Sequence, residues 1–148
     1  MKGLPLIVPD VNVLISGAVY SNNAPSQIVE AWKTGHVEFA TSEAILNDLR
    51  RVFSYPRVLK LTQMTEQEIN AYIQVIAEGA IFAHNPKPLQ VSIDPDDDKL
   101  FACAVEVGAD YIVSGDKEHV LEVGEYHGVQ TISPRDFMMV LQEERKAA

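Results

Sequence analysis

Short apolar runs alternate with longer amphipathic stretches along the whole chain. Runs of four to six mostly apolar residues bounded by turn residues are typical of strands that are buried on both faces of a parallel sheet. They predict strands at 4–9, 37–40, 80–83, 111–114 and 129–132.

Helix signals fill most of the segments between these runs. The clearest is a capping box, Thr65 with Glu68, and Ser42 similarly opens an amphipathic helix that ends before Pro56. Further helices are predicted at about 26–35, 96–107 and 117–123, and a last one begins at Ser133-Pro134. Residues 10–27, with Gly17 and three asparagines, are predicted to form a loop before the helix that Ser26 caps.

This alternation predicts an α/β fold of three layers, in which helices cover both faces of a central parallel sheet of four to five strands. Neither a repeat nor a composition shift divides the sequence, so residues 1–148 are expected to form a single domain with a frayed tail from about residue 143.

Composition limits the class of protein and its cellular location. Hydrophobic residues make up 47% of the 148 residues, and the only cysteine is Cys103, which excludes an intrachain disulfide and favours a cytoplasmic location. No apolar run has the length of a membrane span or of a signal peptide. The net charge of −9 argues against a nucleic-acid binder with an overall basic surface, although residues 50–60 contain four basic residues and no acid.

Aspartates stand where the apolar strands end. Asp10 follows the first strand, Asp116 follows the fourth, and residues 94–98 contain four more aspartates at the start of a helix. Such a cluster at one edge of a sheet repels itself unless a cation fills it, and hard oxygen ligands favour a divalent metal. Taken singly, these acids are also ordinary turn formers or complements of a helix dipole.

Asp48 differs because it lies in the middle of the second predicted helix, at the margin of the apolar face. It can reach a pocket at the edge of the sheet, or it can be a flank residue paired with Arg51 three positions later.

Four segments carry a resemblance to a known family: IVPDVNVLISG, TSEAILNDLRRVF, DPDDDKLFACAVEVGADYIVSGD and GVQTISPRDFMMVL. The sequence resembles PIN-domain proteins, and within them the toxin components of toxin–antitoxin systems related to VapC-type ribonucleases. The resemblance implies a PIN-like fold and a Mg²⁺- or Mn²⁺-dependent endoribonuclease that cleaves single-stranded RNA. It also implies a small antitoxin partner, a homodimer and no membrane.

The resemblance transfers to named positions. It implies four catalytic acids, of which the first, third and fourth also bind the metal: Asp10, Asp48, Asp97 and Asp116. The supporting positions are Asn12, Ser114, Asp94 and Asp98. Candidate phosphate contacts in the basic segment are Arg50, Arg51, Arg57 and Lys60, whereas the four histidines are expected at the surface without a ligand role.

Two positions depart from the family pattern. Val11 replaces the usual Thr, and Asp48 replaces the usual Glu, which makes this acid one methylene shorter. These departures leave open a catalytically weak or inactive module that binds an antitoxin or RNA. A phosphotransferase of haloacid-dehalogenase type would need a second Asp at Asn12, and a receiver-like domain would need an acid pair after the first strand.

Overall fold

The structure of the chain is a computed structural model that describes residues 3–92 and 94–147. Helices connect most of the strands, as predicted, and the fold has three α/β/α layers. The strands are β1 (Leu6–Pro9), β2 (Glu38–Ser42), β3 (Ile81–Ala83), β4 (Tyr111–Val113), β5 (Glu125–Tyr126) and β6 (Val129–Ile132). The helices are α1 (Val11–Val19), α2 (Ala24–Lys33), α3 (Glu43–Phe53), α4 (Pro56–Thr62), α5 (Glu66–Gly79), α6 (Asp98–Val107) and α7 (Pro134–Ala147).

The sheet has six strands in the order β3-β2-β1-β4-β6-β5, so the predicted four to five strands were too few. All pairs are parallel except β5 with β6. The missed strand β5 is only two residues long and joins β6 through a tight turn at His127 and Gly128, which have φ of 50° and 85°. A segment this short has no hydrophobic period to detect.

The strand order reverses between β1 and β4. The chain moves from β1 outward to β2 and β3, and after α6 it returns to β4 on the other side of β1. In open parallel sheets this switch point leaves a crevice beyond the carboxyl ends of the two strands, where ligands bind. Asp10 follows β1, and Ser114 follows β4, so both lie at this crevice.

The predicted loop at 10–27 is wrong, because most of it is helical. Helix α1 starts directly after β1, with Asp10 as its N-cap. Gly17, interpreted as a loop residue, is needed for close packing, since a Cβ there would lie 2.5 Å from Val29 Cγ2 and 3.1 Å from the Pro25 carbonyl oxygen. The N-cap of α2 is Asn23, in a capping box with Ser26, and not Ser26 itself.

Two further segments differ from their predictions. Pro56 begins the short helix α4, which was not predicted from the sequence. A turn and a 3-10 helix at Leu121–Val123 replace the helix predicted at 117–123. Helix α7 continues through Ala147, and residue 148 lies outside the described residues. The fraying expected from about residue 143 stays a prediction.

Helix α6 fixes one side of the crevice. Its side chains Leu100, Phe101, Cys103 and Ala104 are almost completely buried against the sheet. At about 25 cal/mol per Å² of apolar surface, burial of the two large side chains stabilises the fold by several kcal/mol and holds the start of α6 in place. Within residues 3–92 and 94–147, no helix combines the length and the apolar character that crossing a bilayer requires.

Candidate metal centre

Asp10 is the most buried acid of the crevice, with a relative exposure of 8%. Its Oδ1 accepts a hydrogen bond of 2.9 Å from the Val13 backbone N–H, as an N-cap does, and its own N–H donates to the Val113 carbonyl across β4. Burial raises the pKa of Asp10, and the hydrogen bonds it accepts offset only part of that effect. The position is therefore rigid, and ionisation there is costly without a nearby positive charge.

Ser114 connects the ends of β1 and β4. Its hydroxyl is fully buried and donates a hydrogen bond to Asp10 Oδ2. The same oxygen accepts a hydrogen bond of 3.0 Å from the Asp116 backbone N–H. One side chain thus contacts both Asp10 and the turn that presents Asp116, and its predicted supporting role stays a prediction.

Asp116 organises the turn after β4. Its Oδ1 accepts from the backbone N–H groups of Glu118 and His119 at 3.1 and 3.0 Å, and its Oδ2 lies 3.1 Å from His119 Nδ1. Partial burial acts to raise the pKa of Asp116, but the bonds from His119 outweigh it and lower the pKa below its ordinary value. The same side-chain hydrogen bond raises the pKa of His119.

Besides the ends of β1 and β4, the crevice is bordered by a 3-10 turn at Pro95–Asp97, immediately before α6. Asp94 caps this turn by accepting a hydrogen bond of 3.0 Å from the Asp96 N–H. Asp98 faces the preceding segment instead, where its Oδ1 accepts from the backbone N–H groups of Val91 and Ser92. Asp98 therefore anchors the connection that carries Asp94.

Asp97 has the most unfavourable surroundings for a negative charge. Burial raises its pKa to about 6, with further contributions from the charges of Asp116, Asp94 and Asp10. Its Oδ2 is buried, and no donor among the described residues reaches it. A buried acceptor without a partner costs roughly 1–3 kcal/mol, which a bound cation would recover.

The acids converge with a histidine. One carboxylate oxygen each of Asp94 and Asp97 and a ring nitrogen of His119 all lie within 4.8 Å of one another. His119 was predicted to lie at the surface without a ligand role, but its ring nitrogen lies where it could bind a metal together with Asp94 and Asp97. The spacing Asp116-x-x-His119 was available in the sequence. However, only the turn after β4 shows that the His119 ring folds back onto the Asp116 carboxylate.

A family model matches this part of the chain. The PIN domain model covers residues 7–118, which include most of β1 and the acids of the crevice but not His119. The chain belongs to the PIN-domain family. This membership excludes the haloacid-dehalogenase-type and receiver-like alternatives.

Solved structures show the same fold at low sequence identity, whereas a comparison with curated proteins finds no match. VapBC2 from Rickettsia felis, bound to a DNA fragment from its promoter, has a TM-score of 0.57 at 10% identity, covering 86% of this chain and 98% of that one. The T. brucei RRP44 PIN domain has a TM-score of 0.54 at 10% identity, covering 97% and 84%. The PIN domain of human SMG5 has a TM-score of 0.51 at 12% identity, covering 92% and 99%.

Asp48 lies beside this centre of the PIN domain, paired with two cations. Its Oδ2 is 3.0 Å from Lys99 Nζ, and its Oδ1 bonds to the Arg51 guanidinium. The Asp48 and Lys99 side chains are only 15% and 20% exposed, so this ion pair joins α3 to α6 in a partly buried environment. The contact with Arg51 is the one expected of a flank residue, and a direct role in catalysis remains a prediction.

The basic residues of segment 50–60 separate into different surroundings. Arg51 is taken up by Asp48, and Arg50 hydrogen-bonds Asn47 and lines a cavity between α3, α4 and α5. Arg57 and Lys60 line another groove, together with Asn12. Only this second groove reaches the N-terminal turn of α1, next to Asp10.

The donor set of this PIN domain fits a divalent metal. Carboxylate oxygens with one imidazole nitrogen suit Mg²⁺ or, better, Mn²⁺. A cation would provide a partner for Asp97 Oδ2, which has none within residues 3–92 and 94–147, and would also relieve the mutual repulsion of the acids. The residues that would hold it are Asp94, Asp97 and His119, with Asp10 and Asp116 adjoining.

Proposed function

We propose that this PIN-domain protein is an endoribonuclease that uses Mg²⁺ or Mn²⁺ to hydrolyse phosphodiester bonds of single-stranded RNA. The observation that carries the proposal is the buried Asp97 Oδ2, which no donor among the described residues reaches, within a cluster of acids at the topological switch point. A site that destabilises the metal-free protein is expected where a cation and a phosphate are to be bound.

Each side chain has a task in this proposal. Asp94, Asp97 and His119 hold the ion, and Asp10 and Asp116 supply further negative charge beside it. Ser114 keeps Asp10 oriented through its hydroxyl, and Asp98 holds the segment that carries Asp94. When bound, the metal would lower the pKa of a water ligand and neutralise charge that develops on the phosphate.

A toxin role with a small antitoxin partner is part of the proposal. It is supported by the shared fold of VapBC2 from Rickettsia felis, which covers 86% of this chain. A cytoplasmic location and a homodimer accompany this role. The net charge of −9 suits a partner with a basic segment, because opposite charge accelerates association.

Cleavage of a labelled single-stranded RNA by the purified protein tests the activity. We expect cleavage with Mn²⁺ or Mg²⁺, none with EDTA, and none from the Asp97→Asn protein. Asp96→Asn is the matched control, because it removes the same charge from the same turn at an exposed position. Equal cleavage by wild type and Asp97→Asn would contradict the proposal.

A second candidate function is a catalytically weak PIN module that binds RNA or an antitoxin. The pairing of Asp48 with Lys99 and Arg51 favours it, because both carboxylate oxygens already have cationic partners. This candidate predicts a metal-induced rise in melting temperature without RNA cleavage, which the same preparations distinguish.

A further inference from the structure

We propose that the groove between α1, α3 and α4 binds the unpaired RNA strand next to the acid cluster, with Tyr55 stacking on a base and with Arg57 and Lys60 holding its phosphates. The inference rests on the proposed function, since it names how the same site would receive its substrate. We call this surface the α4 groove, defined by Asn12, Tyr55, Arg57, Lys60 and Leu61.

The α4 groove is large enough for a nucleotide and its neighbours. Its volume is about 870 Å³, and much of its wall is apolar, with Ile15, Val52, Val58 and Leu61. Leu61 is 52% exposed and Tyr55 is 43% exposed. Such a wall accepts the flat faces of bases, which in a duplex are hidden inside the stack.

The charges of the α4 groove complement a polyanion. Arg57 and Lys60 are the charged side chains among its lining residues, and both are cations. Within residues 3–92 and 94–147, neither has a carboxylate within salt-bridge distance. On a chain with a net charge of −9, two cations without an acidic partner beside an apolar wall provide the local positive potential that phosphates require.

Tyr55 has a ring that is available for stacking. It stands between α3 and α4, where Pro56 follows and its own carbonyl begins the hydrogen bonding of α4. In the described part of the chain, Tyr55 belongs to none of the close aromatic pairs. Base stacking on such a ring tolerates any sequence but requires an unpaired strand.

The α4 groove is continuous with the acid cluster by two routes. Asn12 lines the groove and lies two residues after Asp10, in the first turn of α1. On α3, Asp48 and Val52 stand at i and i+4 and so share one helix face, and Val52 also lines the groove. A strand that enters over Tyr55 can therefore present a phosphate at the acids.

Binding of a fluorescent single-stranded RNA of about ten nucleotides tests the inference, measured by anisotropy with the full chain carrying Asp97→Asn, in EDTA. In this background, Tyr55→Ala should weaken binding at least about tenfold, whereas Tyr55→Phe should bind like the parent. An abasic strand should bind Tyr55→Ala and its parent equally. A duplex of the same sequence should bind more weakly than the single strand.

The salt dependence of RNA affinity tests the roles of Arg57 and Lys60. Arg57→Gln and Lys60→Gln should each reduce the slope of log affinity against log salt by about 0.7. The matched control is Arg135→Gln, an exposed arginine in the first turn of α7, which should leave the slope unchanged. Unchanged slopes for both groove variants would overturn the assignment.

Three further results would contradict RNA binding in the α4 groove. No binding, equal affinity for the duplex, or equal loss in Tyr55→Ala and Tyr55→Phe would overturn the proposal. If Leu61→Gln converts a dimer into a monomer in sedimentation without changing RNA affinity, the groove is an interface between two copies. Since binding is measured without metal or cleavage, an inactive wild-type enzyme that still binds RNA through Tyr55 would contradict only the proposed function.

Discussion

The Ser114 hydroxyl donates a hydrogen bond to Asp10 Oδ2 although 104 positions separate the two residues in the chain. Ser114 also accepts from the Asp116 N–H at 3.0 Å, so a single oxygen connects the ends of two neighbouring strands. The geometry of the acid cluster therefore depends on a neutral side chain that is completely buried.

Removing this hydroxyl should weaken both the fold and metal binding. In Ser114→Ala, the buried Asp10 carboxylate loses a donor, which costs about 1–3 kcal/mol of the free energy of unfolding. Mn²⁺ affinity should fall as well, because Asp10 becomes harder to ionise and less well oriented. Urea unfolding in EDTA and calorimetric titration with Mn²⁺ measure the two effects.

The control is Ser54→Ala, which removes an exposed hydroxyl that donates to the Arg51 carbonyl at 2.6 Å. Its free energy of unfolding should change much less than that of Ser114→Ala, because water replaces the lost partner. If both variants match the wild type, Asp10 does not depend on Ser114.

Asp97 should make the metal-free protein less stable as the pH rises. Its pKa is about 6 in the fold and 3.8 ordinarily, so the folded state holds the proton more tightly. The native state then binds more protons between these values. The stability contributed by the protonated Asp97 is fully present below about pH 3.8 and is lost as the pH rises through about 6.

Melting temperatures in EDTA across this range test the effect. Because Asp97 is partly exposed, solvent screening reduces the expected difference between wild type and Asp97→Asn to about 1 kcal/mol above pH 6. Asp97→Asn should be the more stable protein there, and Asp96→Asn, from the same turn, should follow the wild-type profile. If the stability of Asp97→Asn changes with pH as that of the wild type does, burial of the Asp97 carboxylate does not destabilise the metal-free protein.

The acids at the strand ends were predictable because a parallel sheet brings the carboxyl ends of its strands to one edge. Asp10, Ser114 and Asp116 follow strands that the apolar pattern identifies, and each lies at the crevice. The pairing of Asp48 with Lys99 was not predictable, because it joins helices whose contact depends on tertiary packing. Likewise, Gly17 favours a loop locally, and only its approach to Val29 explains its place inside a helix.

His119 should contribute to metal binding and to metal preference. An imidazole nitrogen suits Mn²⁺ better than Mg²⁺, which prefers oxygen ligands. His119→Ala should therefore weaken Mn²⁺ affinity by at least about tenfold, and weaken Mg²⁺ affinity less. Shifts of melting temperature with each metal give the two affinities.

His84→Ala serves as the control for this prediction, since His84 is exposed and follows β3 at the edge of the sheet, away from the switch point. It should leave both metal affinities unchanged. Equal losses for Mn²⁺ and Mg²⁺ in His119→Ala would assign His119 to positioning Asp116 through their 3.1 Å contact, and not to the metal.

Asp48 has two separable roles, a structural pair with Lys99 and a predicted catalytic function. Asp48→Ala leaves the partly buried Lys99 ammonium without its partner, and the free energy of unfolding should fall by about 2 kcal/mol, between the values for exposed and buried pairs. RNA cleavage should fall too.

The double variant Asp48→Ala with Lys99→Met removes the unpaired charge, so it should regain most of the lost stability without regaining cleavage. Unfolding in urea and cleavage rates at equal folded concentration measure the two roles separately. If the double variant regains both stability and cleavage, Asp48 serves only to hold α3 against α6, and the catalytic prediction for this residue is wrong.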